Sequence, residues 1–224
     1  MIVQGHEHEA YRRYYAEPRA GVAPEEFPLS TIVGLVLAAG GGRRYGGPKA
    51  LVRHDDGRLL VERAVATLRE GGCTRIVVVL GAESARVRAE AQLGDARLVD
   101  NPGWKSGMGS SLRVGLAAVA EAESEADAVA VAVLLVDTPG IGPDAVARLL
   151  AATNGGSKSL VTASYQGKRG HPVILGRDHW AGVATLATAD VGARAYLAAH
   201  ADQVQAVPCE DIADDTDLDV PPEQ

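Results

Sequence analysis

A run of glycines followed by cations is the part of this chain whose residue types and spacing most clearly predict chemistry. The run reads Leu37, Ala38, Ala39, Gly40, Gly41 and Gly42, and Arg43 and Lys49 follow it. Glycine lets a backbone approach an anion without side-chain clash, and its N–H groups can surround phosphate oxygens. Arginine and lysine supply the positive charge that a triphosphate requires. The stretch therefore predicts a site for a phosphorylated ligand.

Two common phosphate-binding patterns do not fit this loop. A P-loop needs Gly-Lys-Ser/Thr, whereas Lys49 stands between Pro48 and Ala50. A dinucleotide fingerprint needs a third glycine where Tyr45 stands. A flexible surface loop is the remaining alternative, and the apolar strand predicted just before the glycines disfavours it.

A second candidate group lies where another apolar run ends. Residues 130–136 form a continuous apolar segment, and Asp137, Thr138 and Pro139 follow it directly. An acid at the carboxyl end of a central parallel strand lies where open α/β sheets bind ligands. The alternative is that Asp137 caps the helix predicted near residue 143.

Near the C-terminus, alternation places Asp217 and Asp219 on one face of an extended segment, and a solvated acidic tail is the alternative there.

Two further segments have residue types suited to recognition. Residues 101–112 form a predicted turn into a helix, where glycines at 103, 107 and 109 would let the backbone approach a planar base. Ser111 offers a hydroxyl, and the helix start offers free N–H groups. Residues 168–174 place Lys168, Arg169 and His171 at the entrance of a strand. A satisfied structural histidine is the alternative for His171.

Composition excludes several classes of protein. The 224 residues are 46% hydrophobic, which is enough for a sizeable core, and their formal net charge is −7. Residues 210–224 contain seven acids and no Lys or Arg, so the rest of the chain is about neutral and has no evident basic face, which argues against nucleic-acid binding. No apolar stretch is long enough for a membrane span. With two cysteines, Cys73 and Cys209, and no leader pattern, the chain is expected to be cytoplasmic.

Alternating apolar patterns predict an α/β fold with a mostly parallel sheet and helices on both faces. Strands are predicted at residues 32–37, 75–80, 97–99, 128–136, 160–165, 172–175 and 205–207, the fifth and sixth partly antiparallel. Helices are predicted at 59–69, 84–91, 109–122, 144–152, near 183, and at 192–200. Residues 1–30 lack clear periodicity and are predicted to be a partly disordered extension. Residues 31–224 are predicted to form the catalytic domain.

Taken in order along the chain, these segments resemble the MobA-like nucleotidyltransferases. The loop at 37–49, the segment at 101–112, the Asp-Thr-Pro at 137–139, the Gly-His-Pro-Val at 170–173 and the ending at 217–221 each match a family pattern. Within the family, the sequence is most similar to the molybdenum cofactor cytidylyltransferases. It departs where Val136 replaces a glycine and Val220 replaces a threonine.

The resemblance implies a three-layer α/β/α, Rossmann-like fold of the nucleotide-diphospho-sugar transferase type. It implies that CMP passes from CTP to the phosphate of the molybdenum cofactor, and that the product serves a xanthine-oxidase-type hydroxylase. Arg43, Lys49 and Asp137 would be catalytic, and Asp137 and Asp219 would bind Mg²⁺. The segment containing Gly109, Ser110 and Ser111 would recognise the nucleotide, while His171 would face the acceptor.

Alternatives to this function remain open. A related transferase would use GTP or another phosphorylated acceptor, although the guanylyl branch usually has glycine where Ala39 stands. A non-catalytic maturation factor would bind the cofactor and hand it to a hydroxylase. The presence of both Lys49 and Asp137 favours an enzyme over that factor.

Overall fold

The computed structural model describes residues 31–122, 126–153 and 156–218. The predicted N-terminal extension and Asp219 therefore lie outside the described residues. Seven strands form one sheet in the order β3-β2-β1-β4-β6-β5-β7. Their bounds are β1 Thr31–Ala38, β2 Arg75–Leu80, β3 Arg97–Asp100, β4 Ala128–Leu135, β5 Leu160–Tyr165, β6 Lys168–Gly176 and β7 Gln205–Pro208.

Among the described residues, six α-helices cover the two faces of the sheet. They are α1 Leu60–Glu70, α2 Ser84–Glu90, α3 Met108–Glu121, α4 Pro143–Ala152, α5 Trp180–Leu186 and α6 Arg194–Ala199. The apolar sides of α1, α2 and α4 pack on one face. The apolar sides of α3, α5 and α6 pack on the other. The predicted three-layer α/β/α architecture is therefore confirmed.

One strand runs against the others. The pairs β1–β2, β1–β4, β2–β3 and β5–β7 are parallel, whereas β6 is antiparallel to both β4 and β5. The predicted antiparallel pair is confirmed, but β6 starts at Lys168, four residues earlier than predicted. Gln166 and Gly167 have φ values of 51° and 77°, as a tight hairpin turn requires, and this turn extends the ladder to its tip.

The order of the strands reverses between β1 and β4. The chain moves outward from β1 through β2 to β3, then crosses back to β4 on the other side of β1. Leu37 and Leu135 pair at the carboxyl ends of the two central strands. Loops diverge at such a switch point and leave a crevice for ligands. Within the described residues, no helix combines the length and apolar character needed to cross a membrane.

Candidate active site

The glycine loop leaves β1 at this switch point and folds back on itself. The carbonyl oxygen of Gly42 accepts hydrogen bonds from the N–H groups of Gly46 and Gly47, at 2.9 and 3.3 Å. Gly42 has a φ of 57°, and a side chain there would collide with the Gly47 carbonyl. The N–H groups of Gly40 and Gly41 make no hydrogen bond to the described residues. They are available to an anion.

Lys49 and Asp137 meet across the mouth of the sheet. Lys49 begins a short 3₁₀ turn after the loop, while Asp137 lies two residues beyond β4. The Lys49 Nζ donates a hydrogen bond of 2.8 Å to the Asp137 Oδ2, and the two side chains are 13% and 24% exposed. Although Lys49 follows a glycine loop, its ammonium is thus largely shielded against this carboxylate.

Asp137 does not cap the following helix. The N-cap position of α4 is Gly142, and Pro143 is the first helical residue. The alternative interpretation of Asp137 as a helix cap is therefore excluded.

A cleft of about 530 Å³ extends from this pair over the glycine loop. Ala39, Gly40, Gly41, Gly42 and Arg43 line one side, and Trp104, Ser111 and Asp137 line others. The ring of Trp104 lies so close to Gly41 that an added Cβ would be 2.9 Å from it. Leu37 also lines the cleft, whereas Ala38 points into the core on the other face. Most of the predicted phosphate cradle is thus brought together around one cleft.

The N-terminus of α3 is occupied by another part of the chain. The N–H of Met108 donates to the Asp190 Oδ1 at 3.3 Å, and the N–H of Gly109 donates to the Ala189 carbonyl at 2.7 Å. A Cβ on Gly107 would lie 2.5 Å from the Ala189 carbonyl carbon. Close packing against residues 187–190, rather than approach of a base, therefore requires Gly107 and Gly109. The expectation of free N–H groups at this helix start is wrong.

One side-chain amide, that of Asn101, binds both Ser110 and Ser111. The Asn101 Nδ2 donates hydrogen bonds to the hydroxyl oxygens of Ser110 and Ser111, at 2.8 and 3.0 Å. All three side chains are buried. Ser111 nevertheless borders the cleft, whereas Ser110 and Gly109 do not line it. Of the three predicted nucleotide-binding residues of this segment, the structure places only Ser111 beside the cleft.

The C-terminal segment returns over the end of β4. The N–H of Asp214 donates to the Gly140 carbonyl at 3.2 Å, and the N–H of Leu218 donates to the Asp137 carbonyl at 2.8 Å. These bonds place Asp217 on the wall of the cleft. No separate role for Asp217 was predicted, because an acidic tail has no local signal for which carboxylate turns inward. Asp214 is exposed, whereas Asp215 is half-buried.

A second cavity of about 310 Å³ adjoins the cleft. The two share Leu37, Met108, Leu135 and Asp217. Its further lining includes Thr162, Arg169, His171, Arg194 and Asp215. His171 thus faces this cavity and not the cleft of the glycine loop. Burial lowers the pKa of the His171 imidazole, while the Val133 carbonyl and the Asp137 and Asp215 carboxylates oppose that shift.

The donor atoms of the cleft suit a hard divalent cation. Mg²⁺ takes oxygen ligands, usually one or two carboxylates together with phosphate oxygens and waters. Asp137 and Asp217 place two carboxylates on one cleft beside the glycine loop. Within residues 31–122, 126–153 and 156–218, no three His, Cys, Asp or Glu side chains cluster as a complete protein-built metal site. The residues therefore fit an ion that is completed by a phosphorylated ligand.

Comparison with known proteins agrees with this geometry. The MobA-like NTP transferase domain family matches residues 34–204, and the chain belongs to that family. A sequence relative, the nicotine blue oxidoreductase of Paenarthrobacter nicotinovorans, is 39% identical over 199 residues, which cover 85% of this chain and 93% of that protein.

Solved structures show the same architecture. Rv0371c from Mycobacterium tuberculosis H37Rv, in complex with manganese, is 25% identical with a TM-score of 0.65, over 80% of this chain and 88% of that one. A nucleotidyl transferase from Methanothermobacter thermautotroptrophicus is 19% identical with a TM-score of 0.67, over 80% and 87% of the two chains. The fold is therefore that of the nucleotide-diphospho-sugar transferases, as predicted.

Proposed function

We propose that this protein transfers CMP from CTP to the phosphate of the molybdenum cofactor and releases pyrophosphate. The observation that carries the proposal is that two cavities adjoin at the switch point and share part of their lining. One has a glycine loop, Lys49 and Asp137, and the other has Arg169 and His171. A nucleotide in the first cavity would present its phosphates to an acceptor in the second cavity where the two cavities meet.

The reaction needs no nucleophile from the protein. An oxygen of the acceptor phosphate forms a bond to the α-phosphorus of CTP, and the bond from that phosphorus to the bridging oxygen breaks. Pyrophosphate leaves with the electron pair. Catalysis then consists of positioning and of stabilising charge with preorganised groups.

Residues of this chain have distinct roles in such a transfer. The N–H groups of Gly40 and Gly41 and the side chain of Arg43 bind the triphosphate. Lys49 moves from its bond with Asp137 to the phosphate oxygens as negative charge builds on the leaving group. When bound, Mg²⁺ neutralises charge on the triphosphate, and Asp137 would hold it with Asp217 or Asp219. The manganese complex of Rv0371c supports a divalent cation in this fold.

The choice of CTP depends on fewer residues. Ala39 is buried and lines the cleft, and its carbonyl accepts a hydrogen bond of 3.0 Å from the Ala82 N–H. Its Cβ fills space beside Gly81, where an added Cβ would lie 2.8 Å away. The guanylyl branch that the sequence resembles less has glycine at this position.

A panel of nucleotides tests the proposal. The purified protein is incubated with the molybdopterin acceptor and CTP, GTP, ATP or UTP, and pyrophosphate release is measured. We expect release with CTP, nearly abolished in Asp137→Asn and retained in Asp144→Asn, whose carboxylate is exposed on α4. Preference for GTP, or equal rates in Asp137→Asn and wild type, would contradict the proposal.

A second candidate function rests on the relative named nicotine blue oxidoreductase. In that case the cleft would bind a phosphorylated hydride donor, and the second cavity would bind a reducible pigment. A hydride would pass to the pigment and a proton would follow from solvent. Loss of reduced-nicotinamide absorbance in the presence of a quinonoid dye, without pyrophosphate release from CTP, would favour this function.

A further inference from the structure

The second cavity contains a polar side chain, Thr162, to which the proposed transfer gives no role. Its walls are largely apolar and include Leu112, Val133, Leu135, Val173, Leu175 and Leu197. Among them, the Thr162 side chain is 0% exposed, and its hydroxyl has no hydrogen-bond partner among the described residues. A buried unpaired hydroxyl is unusual in a native core and points to a missing ligand or water.

A β-bulge places His171 in the lining of the same cavity. Thr162 pairs with Val173 across the β5–β6 ladder, but the next residue, Ala163, pairs with Gly170. His171 and Pro172 therefore fall in the extra length between these two pairs. Bulges next to active sites re-aim side chains, and this one turns His171 into the lining of the cavity.

Two hydrogen bonds fix the bulge and the imidazole. The Tyr165 hydroxyl donates to the His171 carbonyl at 2.7 Å, so that Tyr165 holds the backbone of the bulge. The His171 Nδ1 lies 3.4 Å from the Val133 carbonyl oxygen, to which only a protonated Nδ1 can donate. In the neutral ring, Nε2 is then a hydrogen-bond acceptor, and the described residues give it no donor. The cavity thus presents one hydroxyl donor and one ring acceptor on neighbouring strands.

We propose that Thr162 and His171 determine acceptor specificity by recognising a heteroaromatic ring with a lactam edge. The ring C=O accepts from the Thr162 hydroxyl, and the adjacent ring N–H donates to the His171 Nε2. Apolar walls contact the faces of the ring. Arg169 and Arg194 line the same cavity as Asp215 and Asp217, and an anionic substituent lies towards the arginines. This inference rests on the proposed function for the identity of the cavity as the acceptor site.

Fluorescence titration with pterin-6-carboxylate tests the inference without CTP or metal. This probe has a lactam edge and a carboxylate, and its 3-methyl derivative blocks the ring N–H. Wild type is expected to bind the parent compound about tenfold more tightly than the methylated one, because a site built for a hydrogen bond rejects a ligand that lacks it. Thr162→Val should weaken binding of the parent about 3- to 10-fold, as expected for one lost hydrogen bond.

His171→Leu should bind both probes alike, whereas His171→Gln, which keeps a polar acceptor, should restore part of the discrimination. Thr185→Val is the matched control, since its hydroxyl is exposed and, within the part of the chain that the structure describes, bonds only to the Ala181 carbonyl on α5. Thr162→Val is isosteric, and thermal melting checks that its fold is intact.

The ratio of the two affinities separates recognition from structure, because a merely structural role would not change it. Equal binding of the two probes to wild type, a wild-type ratio in His171→Leu, or wild-type affinity for the parent compound in Thr162→Val would overturn the inference. Failure of the nucleotide panel with these probe results unchanged would instead reject cytidylyl transfer alone.

Discussion

The ammonium of Lys49 donates to the carboxylate of Asp137 across 88 positions of sequence, at 2.8 Å and largely shielded from water. Each charge neutralises the other where the two central strands end. Under the proposed function, a triphosphate in the cleft would compete with Asp137 for Lys49, and a metal ion would compete with Lys49 for Asp137. Binding of these charged ligands would then exchange one ion pair for two new ones, without leaving either side chain unpaired.

Replacing Lys49 should affect both activity and stability. Lys49→Ala is expected to cost about 2–4 kcal/mol of transition-state stabilisation, the usual size for one preorganised electrostatic group. It should also reduce the free energy of unfolding by about 1–3 kcal/mol, because Asp137 keeps a shielded charge without its partner. Steady-state kinetics and urea denaturation measure the two effects. Lys158→Ala, at an exposed position, is the control, and unchanged turnover in Lys49→Ala would contradict the phosphate-binding role.

Two glycines of the site should respond in opposite ways to alanine. Gly107 has a φ of 103° and backbone atoms 2.5 Å from its added Cβ, so Gly107→Ala should lose about 2 kcal/mol or more of stability. Gly40 has nothing within 4 Å of an added Cβ. Gly40→Ala should keep its melting temperature but bind nucleotide more weakly, because the methyl group obstructs the anion. Calorimetry with CTP, together with thermal melts, distinguishes the two. A stable Gly107→Ala protein would show that residues 187–190 can move.

Stability should depend on pH through His171. Its folded pKa lies below the ordinary value of about 6.5, mainly because of burial. Below about pH 6.5 the unfolded chain therefore binds a proton that the folded chain resists, and the free energy of unfolding falls as pH drops towards the folded pKa. Above about pH 6.5, where the imidazole is neutral in both states, the contribution of His171 to the free energy of unfolding is constant. The loss should be smaller in His171→Gln, and urea titrations at several pH values would show it. If the free energy of unfolding depended on pH in the same way in both proteins, folding would not suppress protonation of His171.

The two thiols should be unreactive in the folded protein. Cys73 and Cys209 are 1% and 0% exposed, and burial raises the pKa of Cys73 to about 12. Burial also raises the pKa of Cys209, although Arg148 opposes it. Because the thiolate is the reactive form, a chromogenic disulfide reagent should label neither at mildly alkaline pH, and both in concentrated guanidinium chloride. Rapid labelling of one thiol in the native state would reveal local opening around it.

Much of the fold and part of the site could be predicted from the sequence. The apolar runs that end at Leu37 and Val136 predicted two central strands, and parallel strands bring their carboxyl ends together. That rule alone placed the glycine loop beside Asp137. The contacts that sequence did not predict are distant ones. The bond from the Met108 N–H to Asp190 spans 82 residues and has no local signal.

The same limit applies to the acidic tail. Alternation pairs Asp217 with Asp219 on one face, but cannot say which surface that face meets. The backbone bond between Leu218 and Asp137 decides it, since it fixes the tail against the end of β4 and directs Asp217 to the cleft. Similarly, the residues around Lys49 are mostly polar or glycine and do not predict that its ammonium is shielded. The shielding comes from the carboxylate of Asp137, which lies just beyond β4.

The reversed direction of β6 has a consequence for how this scaffold can diversify. Because β6 runs against β4, its beginning and not its end reaches the ligand edge, and the β5–β6 hairpin delivers Thr162, Arg169 and His171 as one continuous piece of chain. The glycine loop, Lys49 and Asp137 come from elsewhere. A new partner molecule could thus be acquired by exchanging a single hairpin, with the machinery that handles the nucleotide left in place. We expect hairpin grafts between relatives to transfer acceptor preference as a unit.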